Sequence, residues 1–356
     1  MNSLPERRRV TIHDVAREAG VSITTVSHSL NGKGAVAAAT RQRVLDVAER
    51  LGYSADAIAR GLQSNRLGVL GLVIRPLDTL DSYQPAGVDY FVRFAGAAAV
   101  EALDRGFGLM LVRDPTTKNV PGIALAVDGF IISDPLGNDP VIELLQRNGI
   151  PLVTVGRDVE RADFTDWLGL GTDADTRAVL NHLTEHGARR VALVVGTDTN
   201  AWNADSESTY RAWAAERGQA AAVYQQDETA GEPGGEAIAE RMLAAAGDTA
   251  GDTAGEQSLP DAVYCLTGRH AAGLQRRLQR AGYEVPADVM IVAGSDSEQT
   301  RNSAPPITSI DLTPEITAKA AVDFLLRRID GDTRSSPPMI ENVLRPRQST
   351  NRTSVA

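Results

Sequence analysis

Hydrophobic positions near the amino terminus recur with the spacing of two short helices. Val15 and Ala19 lie four residues apart, as do Val26 and Leu30, so each pair shares one face of a helix. Gly20, between the two segments, can adopt the left-handed backbone conformation that ends a helix. The pattern predicts two helices joined by a tight turn, each with one apolar inner face.

The other positions of these two helices suggest caps and an outward face. Thr11 and Ser22 precede the helices, where a hydroxyl oxygen can accept a hydrogen bond from an unpaired backbone N–H group. The outward face of the second helix carries Ile23, Thr24, Ser27 and His28. Such a pair of helices is either a helix-turn-helix, which places its second helix in the major groove of DNA, or a hairpin that only packs.

Further along the chain, the apolar pattern changes from helical faces to short continuous runs. A third amphipathic helix over 40–51 is followed by Gly52. The apolar runs span residues 67–74, 107–112, 129–133, 150–155, 190–195, 262–266 and 289–293. Helical stretches between them include residues 88–105, 141–148, 176–186 and 271–281. Alternating strands and helices are typical of parallel α/β sheets, and the number of runs predicts two sheets.

Sequence motifs with fixed spacing fill most of residues 11–62. They read TIHDVAREAGVSITTVS over 11–27, LNG over 30–32, TRQRV over 40–44 and LGYSADAIARGL over 51–62. This order resembles the LacI/GalR family of transcriptional regulators. The resemblance implies that the second helix reads the major groove and that residues 56–63 form a hinge helix that orders on operator DNA. Leu62 stands where the family places a leucine that wedges open a base step in the minor groove, the alternative being a buried helix leucine.

By resemblance, DNA contacts fall on the helix-turn-helix and on the hinge. They are Thr11, Ser22, Ile23, Thr24, Thr25, Ser27, His28 and Asn31 in the former, and Ala57, Arg60 and Leu62 in the latter. His28 stands where arginine is more frequent in the family, and histidine lacks the bidentate fork with which arginine binds guanine. Ala55 and Asp56 replace the proline and asparagine that are common in the hinge. These departures predict an operator preference that differs from that of typical members.

The chain after the hinge is similar to the same family, whose effector domain shares the periplasmic-binding-protein fold. The similarity rests on segments such as VDGFII over 127–132, IPLVTVGR over 150–157, NHLTEHGARRVA over 181–192 and LLRRIDG over 325–331. It implies two lobes with a ligand cleft between them, joined by three crossovers. The predicted organisation is a flexible basic tail at 1–9, an all-α helix-turn-helix domain at 10–54, a hinge helix and linker at 55–66, a two-lobed α/β effector-binding and dimerisation domain at 67–348, and a frayed tail at 349–356.

Candidate ligand-binding residues follow the predicted strands, because ligands collect at the carboxyl ends of parallel strands. They are Asp134, Arg157, Arg269 and Asp296. The resemblance adds the aromatic pair Tyr90 and Phe91, at the start of the first cleft helix, and Trp202, in a loop that often lines the cleft. For each residue the alternative is a structural role, such as a cap, a surface ion pair or a core aromatic. The stretch 202–210 has no arginine, where many sugar-binding members have one.

Charge and composition fit a DNA-binding head on an acidic body. Residues 1–66 contain ten basic and six acidic residues, whereas the rest of the chain contains 26 basic and 40 acidic residues. The basic part can bind phosphates although the whole chain has a net charge of −10. The single cysteine, Cys265, and the lack of an apolar signal segment lead us to expect a reduced cytoplasm and no membrane span. No metal site and no cofactor are expected.

The sequence therefore predicts a sequence-specific transcriptional regulator, by default a repressor. It would bind a near-palindromic DNA operator as a homodimer and be switched by a small, sugar-like effector. Two alternatives from other classes remain open. One is an α/β binding protein that has lost specific DNA recognition. The other is an enzyme that uses the paired carboxylates Asp134 and Asp296, although a phosphate-binding loop and a G-x-S-x-G motif are missing from the sequence.

Overall fold

The computed structural model describes residues 10–30, 34–53, 66–75, 89–118, 122–247 and 259–352. The chain divides into two compact units, Met1–Leu67 and Gly68–Ala356. Several predictions lie outside the described residues: the basic tail at 1–9, the DNA contact at Asn31, the end of the chain at 353–356, and most of the hinge with Ala57, Arg60 and Leu62. They stay predictions.

The first unit contains three helices, α1 (Ile12–Ala19), α2 (Ile23–Leu30) and α3 (Ala38–Leu51). Its core contains Val15, Val26 and Val44, each fully buried, so the apolar positions at helical spacing do face inward as predicted. Because α3 begins two residues before the predicted start, its first turn contains alanines and no side chain caps it.

Local hydrogen bonds fix the starts of α1 and α2, and a glycine ends α1 at the turn between them. The carboxylate of Asp14 accepts from the backbone N–H and the hydroxyl of Thr11, at 3.0 and 2.7 Å. Gly20 ends α1 in the left-handed region with φ 64°, as its position in the sequence predicts. Ser22 Oγ accepts from the backbone N–H of Thr25 at 3.1 Å, which confirms its predicted role as the cap of α2.

The second unit has two lobes, each built on its own sheet. The first sheet has five parallel strands: β1 (Val69–Ile74), β2 (Gly108–Leu111), β3 (Gly129–Ser133), β4 (Leu152–Val155) and β5 (Trp167–Leu168). Their spatial order is β2-β1-β3-β4-β5. Strands β1, β3 and β4 are almost entirely buried, which explains their continuous apolar sequences.

The sheet of the second lobe has six strands: β6 (Val191–Val195), β7 (Ala222–Gln225), β8 (Ala262–Cys265), β9 (Met290–Ala293), β10 (Thr308–Asp311) and β11 (Val343–Arg345). Their order is β11-β10-β9-β8-β6-β7, and only β11 runs antiparallel to its neighbour. The pattern analysis missed β5, β7, β10 and β11. These strands lie at or next to a sheet edge and lack a long apolar run.

Eight helices described in this unit cover the two sheets. They are α4 (Asp89–Asp104), α5 (Pro140–Arg147), α6 (Thr172–Glu185), α7 (Ala201–Glu216), α8 (Gly231–Gly247), α9 (Gly268–Arg280), α10 (Glu298–Asn302) and α11 (Pro314–Ile329). Helices α4, α5 and α11 belong to the first lobe, and the others belong to the second. Although α11 follows the second lobe in sequence, Phe324 and Leu325 on it are buried in the core of the first lobe.

Three segments of the chain cross between the lobes, as the resemblance implies. They connect β5 to α6, β10 to α11, and α11 to β11. The first and third crossovers bond to each other, because the N–H of Ile340 donates to the carbonyl of Gly169 at 2.8 Å. Asn342 Nδ2 also donates to the carbonyl of Leu170 at 2.8 Å. The crossovers thus form one connected strip beside the space between the lobes.

The carboxyl-terminal prediction was wrong at its first residues. Ser349 and Thr350 are buried, and Ser349 Oγ donates to the carbonyl of Ile291 at 2.6 Å. Thr350 Oγ1 lies 2.7 Å from Thr308 Oγ1. A run of small hydroxyl residues is typical of a frayed tail, but here the hydroxyls form hydrogen bonds with backbone and hydroxyl groups at the end of the second sheet. Within the part of the chain that the structure describes, no helix is long and apolar enough to cross a membrane.

Candidate functional site

The first candidate site is the outward face of α2. Ile23 is 41% exposed although it is apolar, and Thr24 beside it is also exposed. Ser27 and His28 are partly exposed on the same helix, whereas Val26 and Ser29 are buried. Ser29 donates to the carbonyl of Thr25 at 2.7 Å, so its hydroxyl is used inside the helix.

This face has the form of a recognition surface. A short helix held on two others presents polar and apolar side chains to solvent, which suits the donor, acceptor and methyl groups of the major groove. The backbone of α2 is held by the Ser22 cap and by the Val26 core contact. Thr11, Ser22 and Thr25 are tied into caps at the helix starts, so their side chains already have partners within the unit.

The second candidate site is the cleft between the lobes of the second unit. Six of the seven predicted ligand-binding residues line it: Tyr90, Phe91, Asp134, Trp202, Arg269 and Asp296. The carboxyl ends of β3, β8 and β9 supply Asp134, Arg269 and Asp296, in agreement with the expectation for parallel sheets. Sequence reasoning missed further lining residues, notably Asp89, Asp175, Asp198, Glu228 and Asn342.

Aromatic side chains form part of the cleft wall. Tyr90 and Phe91 meet edge to face, with ring centroids 5.2 Å apart, and Tyr90 stacks on the core residue Phe94 at 6.0 Å. Burial raises the pKa of Tyr90 above its ordinary value, so its hydroxyl stays protonated. Trp202 lies in the first turn of α7 and not in a loop, because Asn200 caps that helix by accepting from the N–H of Asn203 at 2.9 Å. The loop assignment was wrong, but Trp202 does line the cleft.

Two carboxylates with raised pKa values face the cleft from opposite lobes. Asp134 follows β3, with a strained backbone at φ 53°, and Asp198 lies between β6 and α7. Burial raises the pKa of Asp134 to about 6, and the negative charge of Asp198 adds to the shift. Burial likewise raises the pKa of Asp198 to about 6, helped by the charges of Glu228 and Asp227. Like charges that lose water raise each other's pKa.

A third carboxylate with a raised pKa lies beside the crossover strip. Burial raises the pKa of Asp175 to about 6, against the effect of a hydrogen bond from Asn342. Asn342 Nδ2 donates to Asp175 Oδ2 at 2.6 Å. Asn342 Oδ1 is buried and has no hydrogen-bond partner among the described residues. A buried acceptor without a partner is costly, so this edge of the cleft favours a donor from a ligand or water.

Asp296 differs from the other cleft carboxylates because it is neutralised by its own chain. Arg347 donates to both of its oxygens, at 2.8 and 3.0 Å, and Arg301 donates to Oδ2 at 3.1 Å. The hydroxyls of Thr300 and Ser309 each donate to Oδ1 at 2.8 Å. Although burial opposes the charged form, these hydrogen bonds hold the pKa of Asp296 well below its ordinary value. Most of its acceptor capacity is therefore used before any ligand arrives.

Arg157 lies on a different side of the cleft from the other candidates. It does not line the pocket that the other six candidates share but an adjoining one, which also contains Asp134 and Trp202. Its guanidinium pairs with Asp205 on α7 of the other lobe. Further contacts join the lobes. Arg301 and the N–H of Glu298 donate to Asp89 at 2.8 and 3.0 Å, and the N–H of Gly137 donates to the carbonyl of Thr199 at 2.9 Å. In this structure the guanidinium of Arg157 bridges the two lobes, and its role as a ligand contact stays a prediction.

Arg269 is the only basic side chain among the described residues that line the main cleft. Its guanidinium donates to the carbonyl of Glu228 at 3.2 Å. Burial lowers the pKa of Arg269 from its ordinary value, although arginine remains charged. Among the described residues, no group of three His, Cys, Asp or Glu side chains is arranged to hold a metal ion.

A helix-turn-helix with an exposed second helix, joined to a two-lobed α/β unit with a polar and aromatic cleft, defines a DNA-binding protein with a small-molecule site. Comparison with known proteins gives the family. Residues 11–56 match the model of the bacterial regulatory proteins of the lacI family, and residues 180–350 match a periplasmic-binding-protein-like domain. The chain therefore combines a lacI-family helix-turn-helix domain with a periplasmic-binding-protein-like domain, and its relatives are transcriptional regulators of the same build.

Individual relatives extend the similarity over almost the whole chain. The HTH-type transcriptional regulator CelR of Thermobifida fusca is 28% identical over 345 residues, which cover 93% of this chain and 95% of CelR. Among solved structures, the CelR–cellobiose complex is 24% identical with a TM-score of 0.64, and covers 96% of this chain and 100% of that one. The Lac repressor dimer bound to operator and the anti-inducer ONPF is 22% identical with a TM-score of 0.78, covering 96% and 99%.

Proposed function

We propose that this regulator is a homodimeric repressor that binds a near-palindromic operator through α2 and releases or tightens its hold when a sugar-like molecule occupies the cleft. The observation that carries the proposal is the combination of an exposed recognition face on α2 with a cleft whose two walls come from different lobes. The relatives support it, since one solved structure is a repressor dimer on its operator and another holds cellobiose.

The DNA-binding part of the proposal predicts a selective loss at Ile23. We would select operators from a randomised duplex pool with purified full-length protein, and then measure binding of Ile23→Ala to the enriched site and to random DNA. Each lost base contact costs about 1–3 kcal/mol on a specific site, so the enriched site should lose affinity while random DNA does not. Leu45→Ala is the matched control, because Leu45 on α3 is 40% exposed against 41% for Ile23.

The hinge can be tested in the same assay with Leu62→Ala. The resemblance assigns Leu62 to a minor-groove wedge, which contributes to affinity without changing the number of phosphate contacts. We therefore expect weaker operator binding with an unchanged dependence on salt concentration. A pool without an enriched site, and equal weak binding by both proteins, would contradict operator recognition and favour a binding protein without DNA specificity.

An exposed apolar stripe on α4 supports the dimer. Val92, Val100 and Leu103 are 39%, 60% and 67% exposed and follow one face of the helix. Ile316, on the adjacent α11, is 59% exposed. A second copy would remove these side chains from water. Sedimentation should show that Leu103→Asp shifts the protein toward monomer, whereas Ile123→Asp, at a 57% exposed position off the stripe, should not.

The cleft would act by changing the relation between the lobes. A ligand that contacts Asp134 in one lobe and Arg269 in the other would stabilise the arrangement of the lobes that the Arg157–Asp205 bridge also favours. A hundredfold difference in operator affinity between the two states would correspond to about 2.7 kcal/mol of coupling. The sequence of the selected operator would locate the regulated genes. The reactions that those genes encode would then indicate which compounds to test as ligands.

We further propose that the chain binds its effector without transforming it and works in the cytoplasm, where its DNA is. An enzyme based on Asp134 and Asp296 would need both carboxyl groups to exchange protons near neutral pH. Asp296 is held ionised by Arg347, so it is a poor general acid. Turnover of an effector by the purified protein would contradict this part of the proposal.

A further inference from the structure

We propose that the effector of this cleft is a small molecule that carries a protonated amine, with the chemistry of an amino sugar. The inference rests on the proposed effector role of the cleft and names the class of ligand that the cleft would take. Three independent features carry it: the surplus of unneutralised carboxylates, a buried acceptor that lacks a donor, and an aromatic wall.

The charge of the lining is strongly one-sided. Its described acidic side chains are Asp89, Asp134, Asp175, Asp198, Glu228 and Asp296, and its one described basic side chain is Arg269. Arg157, in the adjoining pocket, is paired with Asp205. Two of these acids have a basic partner on this chain: Asp89 pairs with Arg301, and Asp296 with Arg301 and Arg347. The sequence also places no arginine in 202–210, where many sugar-binding members of the family have one. The site thus offers negative charge that its own residues leave uncompensated.

The uncompensated carboxylates lie on both sides of the space that a ligand would fill. Asp134 accepts from the hydroxyl of Ser133 at 3.0 Å, which is a neutral donor. Asp198 is affected by the like charges of Glu228 and Asp227, with Arg75 as the opposing positive charge. A neutral ligand that displaced water would leave Asp134 and Asp198 charged, desolvated and mutually repelling. An ammonium group between them would supply the missing opposite charge and the hydrogen-bond donors.

The unused hydrogen-bonding groups of the cleft are mostly acceptors, which also favours a ligand rich in donors. Asn342 Oδ1 is a buried acceptor without a partner among the described residues, and the neighbouring Asp175 has only amide donation from Asn342. Arg269 already donates to the carbonyl of Glu228. The free capacity is therefore mostly acceptor capacity. An ammonium group has three donors and no acceptor, whereas each neutral hydroxyl brings acceptor lone pairs that this lining does not need.

The remaining wall suits the body of a sugar. Tyr90, Phe91 and Trp202 line the cleft together with Leu170 and Leu312. Aromatic faces pack against the C–H face of a ring and also attract cations, so they accept both parts of an amino sugar. A purely aliphatic amine would leave the aromatic faces without a ring to pack against, and a neutral sugar would leave the carboxylates uncompensated.

The test compares ligands that differ at one substituent. Full-length protein would be titrated calorimetrically at pH 7.5 with glucosamine, glucose and N-acetylglucosamine, and with the fully deacetylated chitosan disaccharide against cellobiose. We expect the amine in at least one series to bind about tenfold more tightly than its neutral counterparts, which corresponds to about 1.4 kcal/mol. Neutral sugars that bind as tightly as the amines in both series would overturn the inference, as would the absence of amine binding up to millimolar concentration.

Variants separate charge recognition from damage to the fold. Asp134→Asn and Asp198→Asn should each reduce the ratio of amine affinity to neutral-sugar affinity, because each removes one negative charge that an ammonium group would compensate. Glu143→Gln is the control, because Glu143 is an exposed carboxylate on α5 that does not line the cleft. Affinity for the protonated amine, corrected for the fraction of ligand that is protonated, should also fall between pH 7.5 and 5.5, because protons then neutralise Asp134 and Asp198. A preference for amine that survives both variants would overturn the assignment of these carboxylates.

Failure of this inference can be told apart from failure of the proposed function. The same protein preparation would be tested for operator selection without ligand. An enriched operator together with no amine preference would overturn only the ligand class. The absence of an enriched operator would overturn the proposed function, whatever the cleft binds. An operator complex whose affinity changes with glucosamine but not with glucose would support both.

Discussion

Replacing Asp296 by asparagine gives the sharpest test of how this cleft is built. The Asp296–Arg347 pair is mostly buried, with side-chain exposures of 12% and 20%. Removing one partner of a buried pair leaves an uncompensated charge and costs about 3–5 kcal/mol when burial is complete. Because both groups keep some contact with water, we expect Asp296→Asn to reduce the free energy of unfolding by about 2–3 kcal/mol.

Urea unfolding followed by tryptophan fluorescence measures this change in the right part of the molecule. The three tryptophans, Trp167, Trp202 and Trp213, all lie in the second unit. Asp311→Asn is the matched control, because the Asp311–Arg345 pair joins the same sheet at 3.2 Å but its arginine is 53% exposed. An exposed pair contributes about 0.5 kcal/mol, so the control should change little.

The pH dependence of the difference follows from the lowered pKa of Asp296. A carboxylate whose pKa is lower in the folded state stabilises the fold above its ordinary pKa and loses that contribution as the pH falls. The difference in free energy of unfolding between the wild-type protein and Asp296→Asn should therefore persist from neutral pH down to about pH 5. It should shrink below about pH 4. A gap below about 0.5 kcal/mol at pH 7 would refute the reasoning and return Asp296 to the role of a ligand contact.

Three further changes test the head, the acidic cleft and the bridge between lobes. Val26 is fully buried, so Val26→Ala should destabilise the first unit by about 2 kcal/mol in urea unfolding followed by circular dichroism, and an unchanged midpoint would contradict its core position. The pKa of Asp198 is raised to about 6, so its charged form destabilises the fold above that pH. Asp198→Asn should therefore raise the melting temperature at pH 7.5 but not near pH 4. A lower melting temperature at pH 7.5 would contradict the repulsion. Arg157→Gln removes the bridge to Asp205, so the Gly137 amide, bonded across the cleft, should exchange hydrogen faster, and equal exchange would show that the bridge does not hold the lobes.

Local patterns were enough to predict the head and the central strands. The apolar pairs at helical spacing, Gly20 and Ser22 act within a few residues of each other, so the sequence contains the whole cause of the turn. Strand β3 was predicted with its observed bounds, Gly129–Ser133, because it is buried on both faces and reads as one apolar run. The two-residue strand β5 carries too little pattern to be seen.

The roles of cleft residues depended on partners far along the chain. Asp296 was a reasonable ligand contact by position, but Arg347, 51 residues later, neutralises it. Arg157 was likewise correctly placed after a strand, but Asp205, 48 residues later, pairs with it. Asp198 could have been suspected because it follows β6 as Asp134 follows β3. Its influence on Asp134 requires the relation of the two lobes, which no local pattern contains.

The position of α11 has a consequence for how the protein is made. The first lobe needs Phe324 and Leu325 to complete its core, yet the ribosome synthesises almost the whole second lobe before them. Leu72 and Ile131 are fully buried in the finished protein, but during translation they must wait without the helix that covers them. A chain that stops before Pro314 would keep this apolar surface open and become a substrate for chaperones and proteases. The first lobe can therefore complete its core only after Phe324 and Leu325 have left the ribosome.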